Sequence, residues 1–435
     1  PEAKVVVGGH IANLPGLSEM IEADFIVPGD GVRWFREYLG QDADAPVRHP
    51  AVFSGFGSRI LGIPTSSRPR DLAAALIPSV GCPLGCNFCS TSHLFGGKGK
   101  SVEFFKTGDE LFHVMDALAQ KLRTESFFVL DENFLAYRKK ILRLLQLMEE
   151  YEKSWSLYIF SSANLIRSYT TDTLVRLGVR WLWMGIEGEG SAYDKVRGTD
   201  TRELVRELQA NGISVLGSSI IGLEEHTEEN MQRVIEWAVS HGSDFHQFML
   251  YTALPGTPLY WEKERDGTLL SSEERAYADS HGQYRFNFRH VGLRPGTETD
   301  FLLRAFERDL EANGPSLGRM IATLLEGYKK LRRHPAARVR RRVLREAAPL
   351  ARDYAGVLWA LKAYYKDRPE LRLRLDGVLE GIFDEFGWAS RAVAPVLGRF
   401  LLATLRKEEE RLKKGWTYEP PCFFELNEAA KKVLR

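Results

Sequence analysis

Three of the four cysteines in this 435-residue chain fall within eight positions, in the run Gly81-Cys82-Pro83-Leu84-Gly85-Cys86-Asn87-Phe88-Cys89. Thiolates spaced CxxxCxxC on one loop can wrap an iron–sulfur cubane, and the small Gly81 and Gly85 let the backbone turn close to it. Three ligands for four irons leave one iron open, and a small molecule bearing an amino and a carboxylate group could chelate it there. Zinc is the rival metal, but structural zinc sites take four ligands, commonly from two separated pairs. No second cysteine pair occurs, and His93 is the residue that could complete a Cys3His set. Cys422, in Pro420-Pro421-Cys422-Phe423-Phe424, is either a buried structural thiol or a group reaching into an active site.

Other polar groups close apolar runs. These are Leu130-Asp131-Glu132-Asn133, Ser161-Ser162-Ala163-Asn164, Met184-Gly185-Ile186-Glu187-Gly188, and Ser218-Ser219-Ile220-Ile221-Gly222-Leu223-Glu224-Glu225. Asp131 and Asn133 also suit an ordinary helix N-cap. Glu187 is an acid on an otherwise apolar strand and needs a partner once buried; Arg197 is the candidate, with a plain surface arginine as the alternative.

The elements that must hold these groups alternate. Strands are expected at 74–79, 126–130, 156–160, 181–186, 214–221 and 245–251, with helices at 109–123, 139–151, 171–177, 201–211 and 228–241. Six such units predict an α/β fold, a partial (β/α)6 barrel of the TIM type, in which chemistry sits at the C-terminal strand ends. The expected organisation is a βαβ fragment at 1–42, a linker rich in Pro, Gly, Ser and Arg at 43–71, the barrel at 72–290, and a helical domain at 291–435. Two N-terminal strands cannot make a stable sheet alone, so their neighbours are expected upstream of Pro1.

Lys plus Arg number 59 and Asp plus Glu 58, a balance that points to no nucleic acid and no acidic partner. No run approaches 18 apolar residues and no secretory leader opens the chain, so a cytoplasmic protein is expected. Locally, residues 319–346 hold ten Lys or Arg and two Glu. That run is either a solvated helix face or an attraction to an anionic membrane surface or a phosphate-bearing substrate.

On the cysteine motif and the strand ends that follow it, residues 72–260 resemble the radical S-adenosylmethionine (SAM) superfamily, whose signature is CxxxCxΦC with Φ aromatic, here Phe88. The resemblance implies a [4Fe-4S] cluster on Cys82, Cys86 and Cys89, with SAM on the open iron. Phe88 would lie beside the adenine, and Asp131 or Glu132 would take the SAM amino group, although the family's usual Gly-Gly-Glu is absent. Ser161 and Ser162 would meet ribose or carboxylate, and Arg197 would pair with Glu187 or the SAM carboxylate. In the family's GxIxGxxE pattern Ser218 replaces the first Gly; Ile220 would pack on adenine, Gly222 would allow close backbone approach, and Glu225 would fix the next turn.

The turn Leu254-Pro255-Gly256-Thr257-Pro258-Leu259-Tyr260 is similar to that of the subgroup with a cobalamin-binding domain before the barrel. Val5-Val6-Val7-Gly8-Gly9-His10 and Pro28-Gly29-Asp30-Gly31 resemble the last strand ends of such a Rossmann-like domain, incomplete here, where Gly8, Gly9, Gly29 and Gly31 would approach the cobalamin nucleotide tail. The family's cobalt-ligating DxHxxG does not occur. The implied activity is methylation of an unactivated carbon, using a 5'-deoxyadenosyl radical and methylcobalamin, with flavodoxin or ferredoxin as electron donor. A small-molecule substrate is implied, and the basic run with the aromatic stretch 284–288 suits a lipid, isoprenoid or other hydrophobic molecule and peripheral membrane contact. A cobalamin-dependent cyclase, a carbon–carbon coupling enzyme and a non-catalytic metal or cobalamin-binding sensor are the alternatives.

Overall fold

The computed structural model describes residues 3–54, 59–60, 63–64, 72–190, 193, 195–196, 198–276 and 280–415. Arg197 and Cys422 therefore lie outside the described residues.

Six parallel strands form the central sheet: β1 (Ala73–Leu76), β2 (Ser126–Val129), β3 (Ser156–Phe160), β4 (Val179–Glu187), β5 (Ser214–Ile221) and β6 (Phe245–Leu250), hydrogen-bonded in sequence order. The helices between them are α1 (Gly108–Leu122), α2 (Arg138–Glu150), α3 (Thr171–Leu177), α4 (Thr201–Gln209) and α5 (Met231–Val239). Alternate strand residues such as Phe127, Val129, Leu157, Ile159, Leu182, Met184, Ile186 and Val215 are buried with side chains of these helices, which is how a parallel sheet hides its outer face. The helix starts are written locally. Thr107 and Glu110 form a reciprocal capping box on α1, and the Asp200 carboxylate accepts from the first N–H groups of α4.

The first and last strands do not pair, so the sheet is open. Each edge is covered by a loop segment. Ser54 N donates to Ala73 O at 2.9 Å along β1, and Leu250 N donates to Gly282 O at 2.8 Å along β6. Leu259 N donates to Asn87 O at 3.1 Å, so the chain after β6 reaches the cysteine loop after β1.

At the N-terminus Val6–Gly8 and Phe25–Val27 pair in parallel. The turn His10–Asn13 packs on the helix Ser90–Leu94 that follows the cysteines. A Cβ on Gly256 would lie 2.8 Å from the Asn13 Cβ, so the same turn also touches the chain beyond β6.

After the sheet come α6 (Thr297–Asn313), α7 (Ser316–Leu331), α8 (Ala337–Ala347), a π-helical turn Leu350–Tyr354, α9 (Ala355–Tyr364) and α10 (Pro369–Lys413), which breaks at Gly387. The basic run fits neither reading offered by its composition. Arg342 is buried and donates to Val175 O at 3.0 Å, and Arg338 is buried and paired with Glu149 at 3.2 Å. Arg345 donates to Ser154 O and Ser156 Oγ and pairs with Glu125, while Ser156 Oγ donates to Glu346 at 2.6 Å. Arg319, Arg332 and Arg341 pair with Asp309, Glu385 and Glu152. Arg338, Arg341, Arg342 and Arg345 attach α8 to the N-terminal ends of β3 and β4, the end of the sheet away from the cysteines, while Arg319 and Arg332 tie α7 to α6 and α10. Beside them α7 meets the turn before β5 backbone to backbone, since a Cβ on Gly212 would lie 2.6 Å from Gly327 Cα. Among the described residues no helix is long and apolar enough to cross a membrane.

Candidate functional site

The cysteine loop is an excursion with a pinned neck. It does not follow β1 directly, because Ser79–Val80 forms a separate strand paired antiparallel with Val102–Glu103, which closes the loop at its base. Gly81 and Gly85 are both left-handed, with φ of 84° and 68°. A Cβ on Gly85 would lie 2.6–2.8 Å from Lys98 backbone and Cβ atoms, and one on Gly81 2.9 Å from Phe95, so both positions exclude a side chain twice over. Ser92 Oγ donates to Cys82 O at 2.6 Å, and Cys89 caps the short helix Ser90–Leu94.

Cys82, Cys86 and Cys89 are free, partly buried thiols. Burial pushes the Cys82 thiol up and the Cys86 thiol up to about 11, the latter opposed by the Lys195 ammonium. His93 Nε2 lies 3.1 Å from Cys86 O, so the ring is engaged with the backbone and not aimed at the thiols as a Cys3His site would require.

Facing the loop, the end of β2 carries two acids with different surroundings. Asp131 is buried, accepts from Ser79 Oγ at 2.5 Å and from Asn133 N at 2.9 Å, and its carboxyl is held up by burial against those bonds. It braces the loop's neck to β2. Glu132 is exposed near Cys82, its carboxyl raised by desolvation and by the Asp131 carboxylate, and of the two acids it is the one left open. Ser161 and Ser162 are buried and bound to Asn133. Oδ1 of Asn133 accepts from Ser161 Oγ at 2.8 Å and Ser162 N at 3.0 Å, and its Nδ2 lies 4.0 Å from Cys82 Sγ. Asn133 is thus the joint between β2, β3 and the cysteine loop, a role that its reading as an N-cap missed.

Glu187 ends β4 in the left-handed region, φ 65°, at a register shift between β4 and β5. It is 3% exposed, Oε1 pairs with Lys195 Nζ at 2.6 Å, and Oε2 has no hydrogen-bond partner among the described residues. A strained backbone with an orphaned buried oxygen is a combination that a fold keeps for a ligand. The partner seen is Lys195, two residues before the arginine expected in that role. Burial alone would lower the Lys195 ammonium, but Glu187 and Cys86 outweigh it and hold it above its ordinary value. Lys195 Nζ also stands 5.0 Å over the Phe88 ring.

Phe88 meets Tyr193 and Tyr251 edge-on, with centroids 5.2 and 5.8 Å away. Asn87 binds both tyrosines, donating to Tyr251 Oη and accepting from Tyr193 Oη at 3.0 Å each, which ties the cysteine loop to the end of β6. Ile220 shares a strand face with the half-buried Leu216 and Ser218. Gly222 does have an atom pressed against its missing side chain, but that atom belongs to Phe286 of the same chain. The turn after β5 is held by His226 Nδ1, which accepts from Gly222 N at 3.0 Å and Leu223 N at 3.2 Å, and not by Glu225, which is exposed.

On the N-terminal fragment, Gly9 is left-handed, and a Cβ on Gly9 or Gly31 would meet nothing within 4 Å. A Cβ on Gly8 would lie 3.5 Å from Val27 O, and one on Gly29, φ 83°, 3.4 Å from Leu94 O. Gly29 therefore abuts the helix behind the cysteines, while Gly9 and Gly31 leave bare backbone beside it.

A family model described as the radical SAM superfamily matches residues 76–238. That segment is a radical SAM domain. The match begins at the last residue of β1 and runs into α5, so it takes in the cysteine loop, Asn133, Glu187 and Lys195. Among curated relatives, an uncharacterised methyltransferase of Pyrococcus horikoshii is 25% identical over 63% of this chain and 66% of its own. The hopanoid C-2 methylase of Rhodopseudomonas palustris is 26% identical over 47% of this chain and 40% of its own. The bacteriochlorophyllide d C-12(1)-methyltransferase of Chlorobaculum tepidum is 26% identical over 44% and 42%. The chain thus spans less than two thirds of the length of each. Among solved structures, the radical SAM methyltransferase TsrM of Kitasatospora setae, with tryptophan and a SAM analogue, aligns at 17% identity over 72% of this chain and 71% of its own, with a TM-score of 0.47.

Proposed function

We propose that this chain is a cobalamin-dependent radical SAM C-methyltransferase acting on a hydrophobic small molecule of the lipid or isoprenoid kind, in the cytoplasm, with an electron-donor protein such as flavodoxin or ferredoxin. The observation that carries the reading is a juxtaposition. The glycine turns of the N-terminal fragment abut the helix behind the cysteines, on the same strand ends that present Glu132 and the orphaned Glu187 oxygen. Relatives named for hopanoid C-2 and bacteriochlorophyllide C-12(1) methylation support transfer to carbon.

The donor set fits the implied groups: three thiols on a glycine-bent loop for a [4Fe-4S] cluster, an outward acid and an unpartnered carboxylate oxygen for SAM, and bare glycine backbone for the cobalamin tail. When bound, these groups supply one-electron cleavage of SAM and a transferable methyl group. The chain's own part is placement. Glu132 is set to accept from an ammonium beside Cys82, and Glu187 Oε2 to accept from a hydroxyl or amine, while Phe88, held by Tyr193, Tyr251 and Lys195, offers a rigid apolar wall. Asn87 and its two tyrosines bridge the open edge between β1 and β6, which restricts water at the strand ends.

The test is anaerobic purification followed by incubation of the reduced protein and cobalamin with methyl-labelled SAM and a lipid extract. About four irons per chain, broad visible absorbance and label in a carbon-methylated lipid are expected. A chain that binds no iron, or that cleaves SAM and yields only ring-closed or coupled products, would overturn the methyltransferase reading.

A further inference from the structure

The second half of α10 carries an apolar face that nothing among the described residues covers. Beyond the break at Gly387, φ 74°, Trp388 is 82% exposed, Val396 68% and Phe400 62%, with Ala389, Ala392, Val393 and Ala403 exposed between them. At 100° per residue these positions share one side of the helix, while Ser390, Ala394 and Gly398 on the other side are buried. From Trp388 to Lys407 the face runs about 28 Å at ~1.5 Å per residue. Single exposed apolar residues are ordinary, but a continuous stripe ending in an exposed tryptophan marks a contact surface.

Charge says what the surface fits. Residues 386–407 contain no Asp or Glu and four basic residues: Arg391, Arg399, Arg406 and Lys407. Arg399, Arg406 and Lys407 fall on the apolar side itself. Arg391 lies off that side and pairs with Glu380 at 2.8 Å, and Arg399 stands 5.6 Å over the Trp359 ring. The nearest acids in sequence are Glu380, Asp384 and Glu385 before the stripe and Glu408, Glu409 and Glu410 after it, all on α10. A second copy docked stripe to stripe would bring like charges together in a desolvated contact, so the partner must be anionic as well as apolar.

We propose that this face of α10 docks on an anionic lipid surface, with Trp388, Val396 and Phe400 entering the headgroup boundary and Arg399, Arg406 and Lys407 meeting lipid phosphates. The contact lies outside the basic run 319–346, whose arginines hold the helices to the sheet and to one another. It is independent of the radical chemistry, and iron content reports on that separately.

The full chain, loaded with iron, is floated with vesicles of phosphatidylcholine alone or with about 30% phosphatidylglycerol. Binding to the anionic vesicles is expected, with at least tenfold less to neutral ones or at high salt. Trp388→Ser with Phe400→Ser, and separately Arg406→Gln with Lys407→Gln, should each lower binding at least tenfold while iron content and melting temperature stay at the wild-type values. The proposal is overturned if the wild type does not float, if it binds neutral vesicles equally, if either double variant binds as well as wild type, or if the wild type is a dimer that Trp388→Ser with Phe400→Ser splits.

Discussion

Asn133→Ala gives the sharpest test of the joint between the cysteine loop and the sheet. Its Oδ1 accepts from Ser161 Oγ at 2.8 Å and Ser162 N at 3.0 Å, both on residues 4% exposed. Ser162 Oγ keeps Asn164 Oδ1 at 2.7 Å, so two donors lose their acceptor outright. A buried donor left unmet costs about 1–3 kcal/mol, and some return comes from water entering the space; a loss of about 3 kcal/mol is expected. Urea unfolding followed by tryptophan fluorescence reads it, since Trp183 O accepts from Ser161 N at the same strand end. Removing the unmet donor should restore part of the loss. Asn133→Ala with Ser161→Ala is expected to be about 1 kcal/mol more stable than the sum of the single changes. A single-variant loss under about 0.5 kcal/mol, or strict additivity, would show that Asn133 does not join these strands.

Gly85→Ala should at least halve the iron bound per chain, because its Cβ meets Lys98 backbone, whereas Gly99→Ala, φ 77° with nothing within 4 Å, should pay only the left-handed cost of about 1–2 kcal/mol and keep its iron; equal iron in both would refute the close-approach argument. Arg342→Met should cost about 3–5 kcal/mol by leaving Glu346 less compensated and freeing α8, measured as urea stability and faster proteolysis between α7 and α9. His226 and His241 are lowered by burial to about 4 and His246 to about 3, so each gains a proton on unfolding between those values and 6.5, and their stabilisation is present above pH 6.5 and lost below it. Asp131 and Asp244, raised by burial, act in the opposite sense and lessen the slope that the three histidines give to stability between about pH 4 and 6.5. His246→Gln should flatten that slope by about one proton, and an unchanged slope would exclude His246 as a source.

The strand ends were legible because each is written in a few adjacent residues. β3 and β5 fall where apolar alternation places them, and Thr107, Thr170 and Asp200 start helices by local capping. The cysteine loop was legible for the same reason: its glycines and thiols are neighbours in sequence. What could not be read was which polar group faces a ligand and which braces a neighbour. Asp131 and Glu132 are adjacent acids at one strand end, and only the position of Ser79, 52 residues earlier, commits Asp131 to the loop's neck. Gly222 fits a family pattern for close approach, but the approaching atom comes from Phe286, on a segment where no period flags it. Lys195 reaches Glu187 only because the turn after β4 brings it back, and no local pattern marks it.

The basic run shows why a count of charge along a chain does not settle where that charge goes. Arg332, Arg338, Arg341 and Arg345 meet Glu385, Glu149, Glu152 and Glu125, acids 53, 189, 189 and 220 positions away, so within the run itself the excess looks unbalanced. A helix meant for solvent or a membrane would keep those arginines free; here Arg338 and Arg342 are buried. On α10 the logic inverts. Four basic residues are a weaker signal than ten, but no acid lies among them, the apolar residues beside them are open, and Arg406 and Lys407 have no acidic partner among the described residues. Unspent charge next to uncovered apolar surface, and not the total, is what separates a docking face from a packed one.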